Sequence, residues 1–200
     1  MNRRATKGLG ILCTFLFFSN GLLSFGTDGV VTDVQGHLLV TGKPTAGAVV
    51  WLEAPGATRT PRRVVLDQRN LTFSPTVLAV PTGSVVRFPN NDTVLHNVFS
   101  FRDGKKFDLG LYPVGQVRDV KFERAGVSRL FCNIHPAMAA YIVVVDSPYY
   151  AVTNREGEFS LTGVPAGQYT YHAWRAGAAT ITGKLTVAAH TNLEVQWPTD

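Results

Sequence analysis

Beyond residue 26 the chain consists of short apolar runs separated by glycine, proline and asparagine. The runs are rich in valine, phenylalanine, tyrosine and threonine, and none has the periodicity of a helix. Closely spaced runs of this kind are typical of β-sandwiches and barrels. The clearest strand predictions cover residues 77–80, 85–88, 117–122, 128–131 and 140–145. The pattern therefore predicts an all-β fold.

The first 26 residues follow another pattern, which predicts a secretory signal peptide. Three basic residues precede an apolar run over residues 8–18, and the small residues Ser24 and Gly26 suit cleavage near Gly26. A membrane anchor is the alternative, but the run is short for a bilayer. We therefore expect a periplasmic or otherwise exported protein with no membrane span after the signal is removed.

Loss of this segment changes both the charge and the cysteine count. The full chain has 19 Lys and Arg against 14 Asp and Glu, and only three of the bases lie in the signal. The mature net charge is then near +2, and no basic run interleaved with aromatic residues supports nucleic-acid binding. Cys13 is also removed, so Cys132 has no partner for an internal disulfide. A lone thiol in an oxidising compartment is open to oxidation unless a ligand occupies it.

The strongest chemical signal lies around Cys132. Two residues separate it from His135 and two more separate His135 from Met138, so one tight loop can present three side chains to one ion, and His96 would join from elsewhere in the fold. A thiolate, two imidazoles and a thioether are the donor set of blue-copper electron-transfer sites. Each residue alone has an ordinary interpretation, such as a buried cysteine or a zinc ligand. Methionine is a poor zinc ligand, however, so the four together predict copper.

Four segments between residues 61 and 145 carry a family resemblance. They are Phe-Ser-Pro at 73–75, Pro-Thr-Gly-Ser-Val-Val-Arg-Phe at 81–88, Asn-Asn-Asp-Thr-Val-Leu-His-Asn-Val at 90–98, and the loop at 131–138. Together they resemble the cupredoxin family, whose fold is a Greek-key β-sandwich. The short Cys-x-x-His-x-x-Met loop is most similar to those of amicyanin and pseudoazurin, and shorter than that of plastocyanin.

The resemblance implies one type 1 copper per chain. The metal ligands that it implies are His96, Cys132 and His135 in the equatorial plane and Met138 on the axis. Asn97 matches an asparagine whose hydrogen bonds tie the two ligand-bearing segments together. His135, with Pro136 and Ala137, would form the apolar patch where electrons enter and leave.

Other segments resemble a carboxypeptidase-regulatory-like (transthyretin-like) β-sandwich. The signature Thr-Asn-Arg-Glu-Gly-Glu-Phe-Ser-Leu lies at 153–161, with Asn154 in place of the usual Asp, and Val-Pro-Ala-Gly-Gln-Tyr follows at 164–169. The opening strands of that family match far upstream, at 29–31 and 43–52.

This separation predicts a discontinuous domain. We expect residues 27–60 and 146–200 to form one small sandwich, with a cupredoxin domain of residues 61–145 inserted into it. A cupredoxin with separate terminal additions, or one enlarged barrel, are the alternatives. Proteins of such mixed architecture resemble those described as methylamine-utilisation proteins.

These features predict an exported one-electron carrier between protein redox partners, and not an enzyme, because four protein ligands leave no open metal position. The alternative is copper delivery or storage, with the second sandwich as a docking or scaffolding domain. Delivery sites are often rich in Met or His, whereas the mature chain has Met138 alone. Among the remaining histidines, His37, His172 and His190 lack the spacing of ligands.

Charge differs between the two expected domains. Residues 61–145 contain eleven bases and six acids, whereas the outer pieces contain five bases and eight acids. Arg102, Lys105 and Lys106 follow His96 closely in sequence. They indicate either an acidic redox partner or an ordinary solvated loop.

Overall fold

A computed structural model describes residues 30–101 and 104–198 of the chain. The predicted signal peptide at 1–26 and Arg102 lie outside the described residues. Every regular element in the described part is a β-strand, which confirms the all-β prediction. None of the described residues forms a helix long and apolar enough to cross a membrane.

The described strands are numbered in chain order. They are β1 (Val31–Val40), β2 (Lys43–Pro44), β3 (Val49–Leu52), β4 (Arg63–Val65), β5 (Asp67–Arg69), β6 (Thr72–Ser74), β7 (Val77–Pro81), β8 (Val85–Pro89), β9 (His96–Ser100), β10 (Phe107–Tyr112), β11 (Val117–Lys121), β12 (Gly126–Phe131), β13 (Ala139–Val145), β14 (Tyr150–Val152), β15 (Glu158–Pro165), β16 (Gly167–Trp174), β17 (Ile181–Val187) and β18 (Asn192–Trp197). The five clearest strand predictions all coincide with strands, within two residues at each end.

Strands β4 and β7 to β13 form one β-sandwich, which we call the inner sandwich. A five-stranded sheet runs in the order β10-β9-β12-β13-β7, and a three-stranded sheet in the order β11-β8-β4. Alternate residues of both sheets point inward, as a half-buried strand requires. Their shared core includes Phe73, Val86, Phe88, Val98, Leu130 and Ile142, all buried. The short hairpin of β5 and β6 contributes Phe73 to this core.

Strands from both ends of the chain form a second β-sandwich, which we call the outer sandwich. One sheet has the order β15-β1-β18 with β2 paired to β1, and the other has the order β14-β3-β16-β17. Strand β1 pairs antiparallel with β15 and parallel with β18, so early and late segments share one sheet. The core between the two sheets includes Val34, Leu38, Val50, Phe159, Leu161 and Val195.

Gly157 and Asn154 shape one turn of the outer sandwich. Gly157 has a φ of 73°, a left-handed conformation that favours glycine, in the turn between β14 and β15. The Asn154 side-chain Oδ1 accepts hydrogen bonds from the backbone N–H groups of Glu156 and Glu158 at 3.0 and 2.8 Å. Asn154 thus caps this turn at the position where the resembling family usually has Asp.

The two sandwiches meet through a third apolar cluster. Trp174 and Val49 of the outer sandwich pack against Val143 and Val145 of β13. The Tyr141 and Trp174 ring centroids are 5.1 Å apart within this contact. The side chains that complete the cluster are Trp51, Val77, Ala79, Val127 and Tyr150. This apolar cluster joins the two sandwiches.

The two connections between the sandwiches run close together. Arg59 lies before β4 and Asp146 directly follows β13, and their side chains form an ion pair with Nε and Oδ1 2.7 Å apart. The chain therefore enters and leaves the inner sandwich at neighbouring points.

Candidate metal centre

Strand ends bring the predicted ligands together at one edge of the inner sandwich. His96 begins β9, Cys132 directly follows β12, and Met138 directly precedes β13. Strands β9 and β12 are neighbours, with Phe131 opposite Phe99 in the register. The loop between β12 and β13 is short, so it returns His135 to the same edge.

The ligand atoms of His96, Cys132 and His135 lie within reach of a single ion. The Cys132 Sγ is 3.9 Å from the His96 Nδ1 and 3.6 Å from the His135 Nδ1, and the two Nδ1 atoms are 3.1 Å apart. His96 and Cys132 are buried and His135 is half-buried. Among residues 30–101 and 104–198, this trio is the only group of His, Cys, Asp or Glu ligand atoms with metal-site spacing.

The size of this triangle fits a transition metal. A point equidistant from the three atoms lies about 2.1 Å from each of them. Metal–imidazole bonds of about 2.0–2.1 Å and metal–thiolate bonds of about 2.3 Å are usual for an ion the size of zinc. The donors can therefore bind one such ion with only small shifts of their side chains.

Met138 lies under the same loop. Its side chain is 1% exposed and belongs to the apolar cluster that contains Cys132. Its backbone N–H donates a hydrogen bond to the His135 carbonyl at 2.9 Å, which closes the loop into a turn. The thioether is thus held in the core at the end of the ligand loop, and its bond to a metal stays a prediction.

Asn97 contacts the site through its backbone. Its N–H points at the Cys132 Sγ at 3.5 Å, which joins β9 to the ligand loop. Its side-chain Nδ2 instead donates to Asp108 on β10 at 2.7 Å, and its Oδ1 is buried without a hydrogen-bond partner. The Asn97 backbone N–H is therefore a candidate for the predicted link between the two ligand-bearing segments. The role of the Asn97 side chain stays a prediction.

Sequence reasoning missed Asp92. Its buried carboxylate accepts a hydrogen bond from the Nε2 of His96 at 2.9 Å, which leaves the Nδ1 lone pair directed at Cys132 and His135. The backbone N–H of Leu71 donates to the same Asp92 oxygen at 2.7 Å. This bond and the one from His96 hold the pKa of Asp92 well below its usual value. The signal that the sequence offered for this pair is the position of Asp92, four residues before the candidate ligand His96.

Two turns fix the position of Asp92. The first is the hairpin turn at Asn70 and Leu71, with φ values of 52° and 57°, which directs the Leu71 N–H at the carboxylate. The second is the loop after β8, where the buried Asn90 Oδ1 accepts the Asp92 N–H at 3.1 Å and its Nδ2 donates to the Val94 carbonyl at 2.8 Å. His96 is therefore supported by two adjacent segments, the β5–β6 hairpin and the loop after β8.

The surface beside His135 is apolar. Pro136 and Ala137 are exposed in the ligand loop, as is Ile134. Leu95, directly before His96, is 48% exposed. These placements suit the predicted electron-transfer patch of His135, Pro136 and Ala137, which stays a prediction.

The other histidines lie outside the metal-site group. His37 pairs with Glu158 at 3.5 Å on the outer sandwich. His172 hydrogen-bonds Glu53 at 2.8 Å and stacks on Trp51, and His190 lies in the turn before β18 with a φ of 60°.

These observations define an all-β protein in which two histidines and a cysteine, His96 and Cys132 buried and His135 half-buried, lie at the spacing of a metal site. No family model matches the chain, and no curated relative matches it. A purple cupredoxin structure from Nitrosopumilus maritimus is 27% identical, covering 42% of this chain and 98% of its own, with a TM-score of 0.37. A copper-containing nitrite reductase from Thermus scotoductus is 23% identical, covering 55% and 28%, with a TM-score of 0.41. A reduced amicyanin variant is 24% identical, covering 46% and 86%, with a TM-score of 0.38.

Proposed function

We propose that this protein is an exported type 1 copper protein that carries single electrons between protein partners. The ligands in this proposal are His96, Cys132 and His135, with Met138 as the weak axial donor. The observation that carries it is the triangle of two Nδ1 atoms and one Sγ, whose sides of 3.1, 3.6 and 3.9 Å fit one ion. Copper bound there supplies a reversible one-electron change.

The donor set favours copper over zinc. Structural zinc sites are usually completed by a fourth Cys or His, whereas the fourth candidate donor here is the buried thioether of Met138. Soft sulfur donors select copper, and imidazole suits both of its oxidation states. With four protein donors the site offers no open position for a substrate, which supports a carrier without enzymatic activity of its own.

The protein's own groups keep the donors in place. The Asp92 carboxylate orients the His96 ring, and the Asn97 N–H stabilises negative charge on the Cys132 Sγ. Burial of His96 and Cys132 excludes water from most of the site, while half-buried His135 provides an edge toward solvent. A rigid, mostly dry site changes little when its charge changes, and that property favours rapid electron transfer.

We also infer that the inner sandwich is a cupredoxin domain, residues 61–145, inserted into a transthyretin-like sandwich built from 27–60 and 146–200. Support comes from the pairing of β1 with both β15 and β18 and from the separate core of each sandwich. The expected export and cleavage near Gly26 belong to the same proposal.

The direct test is the visible and EPR spectrum of the purified protein after addition of Cu(II). We expect an intense blue or green thiolate band with a compressed copper hyperfine splitting. Cys132→Ser should abolish the band, and His37→Ala, whose imidazole lies on the outer sandwich, should leave it unchanged. A pale solution with ordinary Cu(II) signals would refute the proposed site.

A second measurement separates electron carriage from copper delivery. An electron carrier should retain its copper during incubation with an excess of a strong chelator. Within the same incubation, it should exchange electrons with a soluble oxidant. Rapid loss of copper with an otherwise type 1 spectrum would favour delivery or storage.

A further inference from the structure

The outer face of the five-stranded sheet of the inner sandwich is only partly covered. On β13 and β7, the outward side chains Tyr141, Val143 and Val77 pack against the outer sandwich. The same face continues across β12 and β9, with Phe131 on β12, Phe99 on β9 and Phe101 directly after β9. We call Phe99, Phe101 and Phe131 the aromatic patch.

The three rings of the aromatic patch contact one another. The Phe99 and Phe101 centroids are 5.8 Å apart and nearly parallel. Phe131 lies 5.8 Å from Phe99 and 5.5 Å from Phe101. Phe101 is 49% exposed, so a large part of this preformed apolar surface faces solvent.

The aromatic patch is continuous with the contact between the sandwiches. The Arg129 guanidinium carbon lies 4.7 Å from the Phe131 ring centroid and 5.6 Å from that of Tyr141. Tyr141 in turn packs on Trp174 of the outer sandwich. Part of this sheet face is therefore already used for protein contact, and Arg129 connects that part to the aromatic patch.

Arg129 supplies positive charge beside the aromatic patch. Arg129 is exposed between Phe131 and Tyr141. The Lys105 N–H donates to the Oγ of the buried Ser128 at 2.8 Å, so the backbone of Lys105 lies near β12, and Lys106 follows it on the surface. The neighbouring acid, Asp108, already accepts hydrogen bonds from Asn97 and Gly110 through its Oδ1.

We propose that the aromatic patch and Arg129 form a docking surface for a protein partner with an apolar centre ringed by carboxylates. Exposed aromatic rings supply much of the binding energy at interfaces, and complementary charge at the rim supplies specificity and association rate. The surface lies on the face of the sheet, whereas His135, Pro136 and Ala137 lie in the loop between β12 and β13. It is therefore an additional contact region, joined to the metal centre by the peptide bond between Phe131 and Cys132.

The proposal is tested with metal-free protein, so that its outcome does not depend on copper binding. An acidic plant-type ferredoxin serves as the probe and basic cytochrome c as the control, each titrated into isotope-labelled protein and followed by amide chemical shifts. We expect shifts at Phe99, Phe101 and Phe131 with the ferredoxin alone. No binding, or shifts centred on another surface, would overturn the proposal.

Substitutions locate the binding energy. Phe101→Ser and Arg129→Gln should each weaken ferredoxin binding by about tenfold or more. Val65→Ser is the matched control, because Val65 is 51% exposed but lies on the other sheet, and it should not change the affinity. Equal affinities for all variants would contradict the proposal. Sedimentation equilibrium of the protein alone completes the test: a dimer that Phe101→Ser abolishes would assign the surface to a second copy instead.

Discussion

The Asp92 carboxylate and the His96 imidazole form a buried hydrogen bond of 2.9 Å that faces away from the proposed metal position. One edge of the His96 ring is thereby fixed to the protein, and the other nitrogen is left for the ligand triangle. Carboxylate–histidine pairs of this kind orient a metal ligand and raise its basicity.

Asp92→Asn should weaken copper binding by about tenfold. The Asp92 carboxylate accepts from His96 Nε2, Leu71 N–H and Thr93 N–H, and an amide would turn an N–H₂ group toward one of these donors. Leaving a buried donor unpaired should also destabilise the metal-free protein by about 1–3 kcal/mol. Competition titration with a copper chelator and thermal unfolding measure the two effects.

Asp119→Asn is the control for that substitution. Asp119 pairs with Arg63 and Arg87 on the exposed three-stranded sheet, and surface ion pairs contribute at most about 1 kcal/mol. If both variants bound copper equally well, Asp92 would have no special part in positioning His96.

Met138→Leu should preserve a coloured copper site and raise its reduction potential, because a weak axial donor is lost. Leucine has nearly the volume of methionine, so the buried position should cost less than about 1.5 kcal/mol in stability. Voltammetry of the variant beside the unaltered protein measures the change. An unchanged potential would indicate that the thioether does not reach the metal.

Trp174→Ala should separate the unfolding of the two sandwiches. The Trp174 side chain packs on Tyr141 and Val143 across the contact, and its truncation should cost about 3–5 kcal/mol. We expect one calorimetric transition for the unaltered protein and two for the variant. Val86→Ala, inside the inner core, should lower the transition without splitting it, and a Trp174→Ala protein that still unfolds in one step would argue against this coupling.

Tyr150→Phe should make the protein lose less stability as the pH rises above about 8. Burial raises the pKa of Tyr150 above its usual 10, and its hydroxyl is buried without a hydrogen-bond partner. The unfolded chain therefore loses its proton first, so the contribution of Tyr150 is complete below about pH 10 and declines as the pH rises toward the folded-state pKa. Urea unfolding between pH 8 and about 11.5 should show a shallower decline for the variant. Identical profiles would mean that Tyr150 titrates normally.

The strand pattern and the ligand spacing were readable from the sequence because both are local. Short apolar runs between turn residues predicted β7, β8, β11, β12 and β13, and the Cys-x-x-His-x-x-Met spacing predicted a single loop around Cys132. The approach of His96 to that loop follows from the pairing of β9 with β12, which the sequence alone indicated only through family resemblance.

Other features depend on contacts between distant segments and had no local signal. The Leu71 N–H reaches Asp92 only because the hairpin of β5 and β6 folds over the inner sandwich. The aromatic patch likewise draws Phe99 and Phe131 from strands more than thirty residues apart. An alternating strand reveals which residues share a face, but the neighbour across the sheet depends on the register.

The ion pair between Arg59 and Asp146 marks a place where the protein can be re-engineered. Because the two connections pass side by side, the proposed insertion would take the place of a single surface loop in the outer sandwich. If a short turn replaced the inner sandwich, it would only have to join the chain near Arg59 to the chain near Asp146, which already lie side by side. Insertions are tolerated where the two ends lie close together in this way. Another small domain with adjacent termini could therefore be grafted into the outer sandwich at this position.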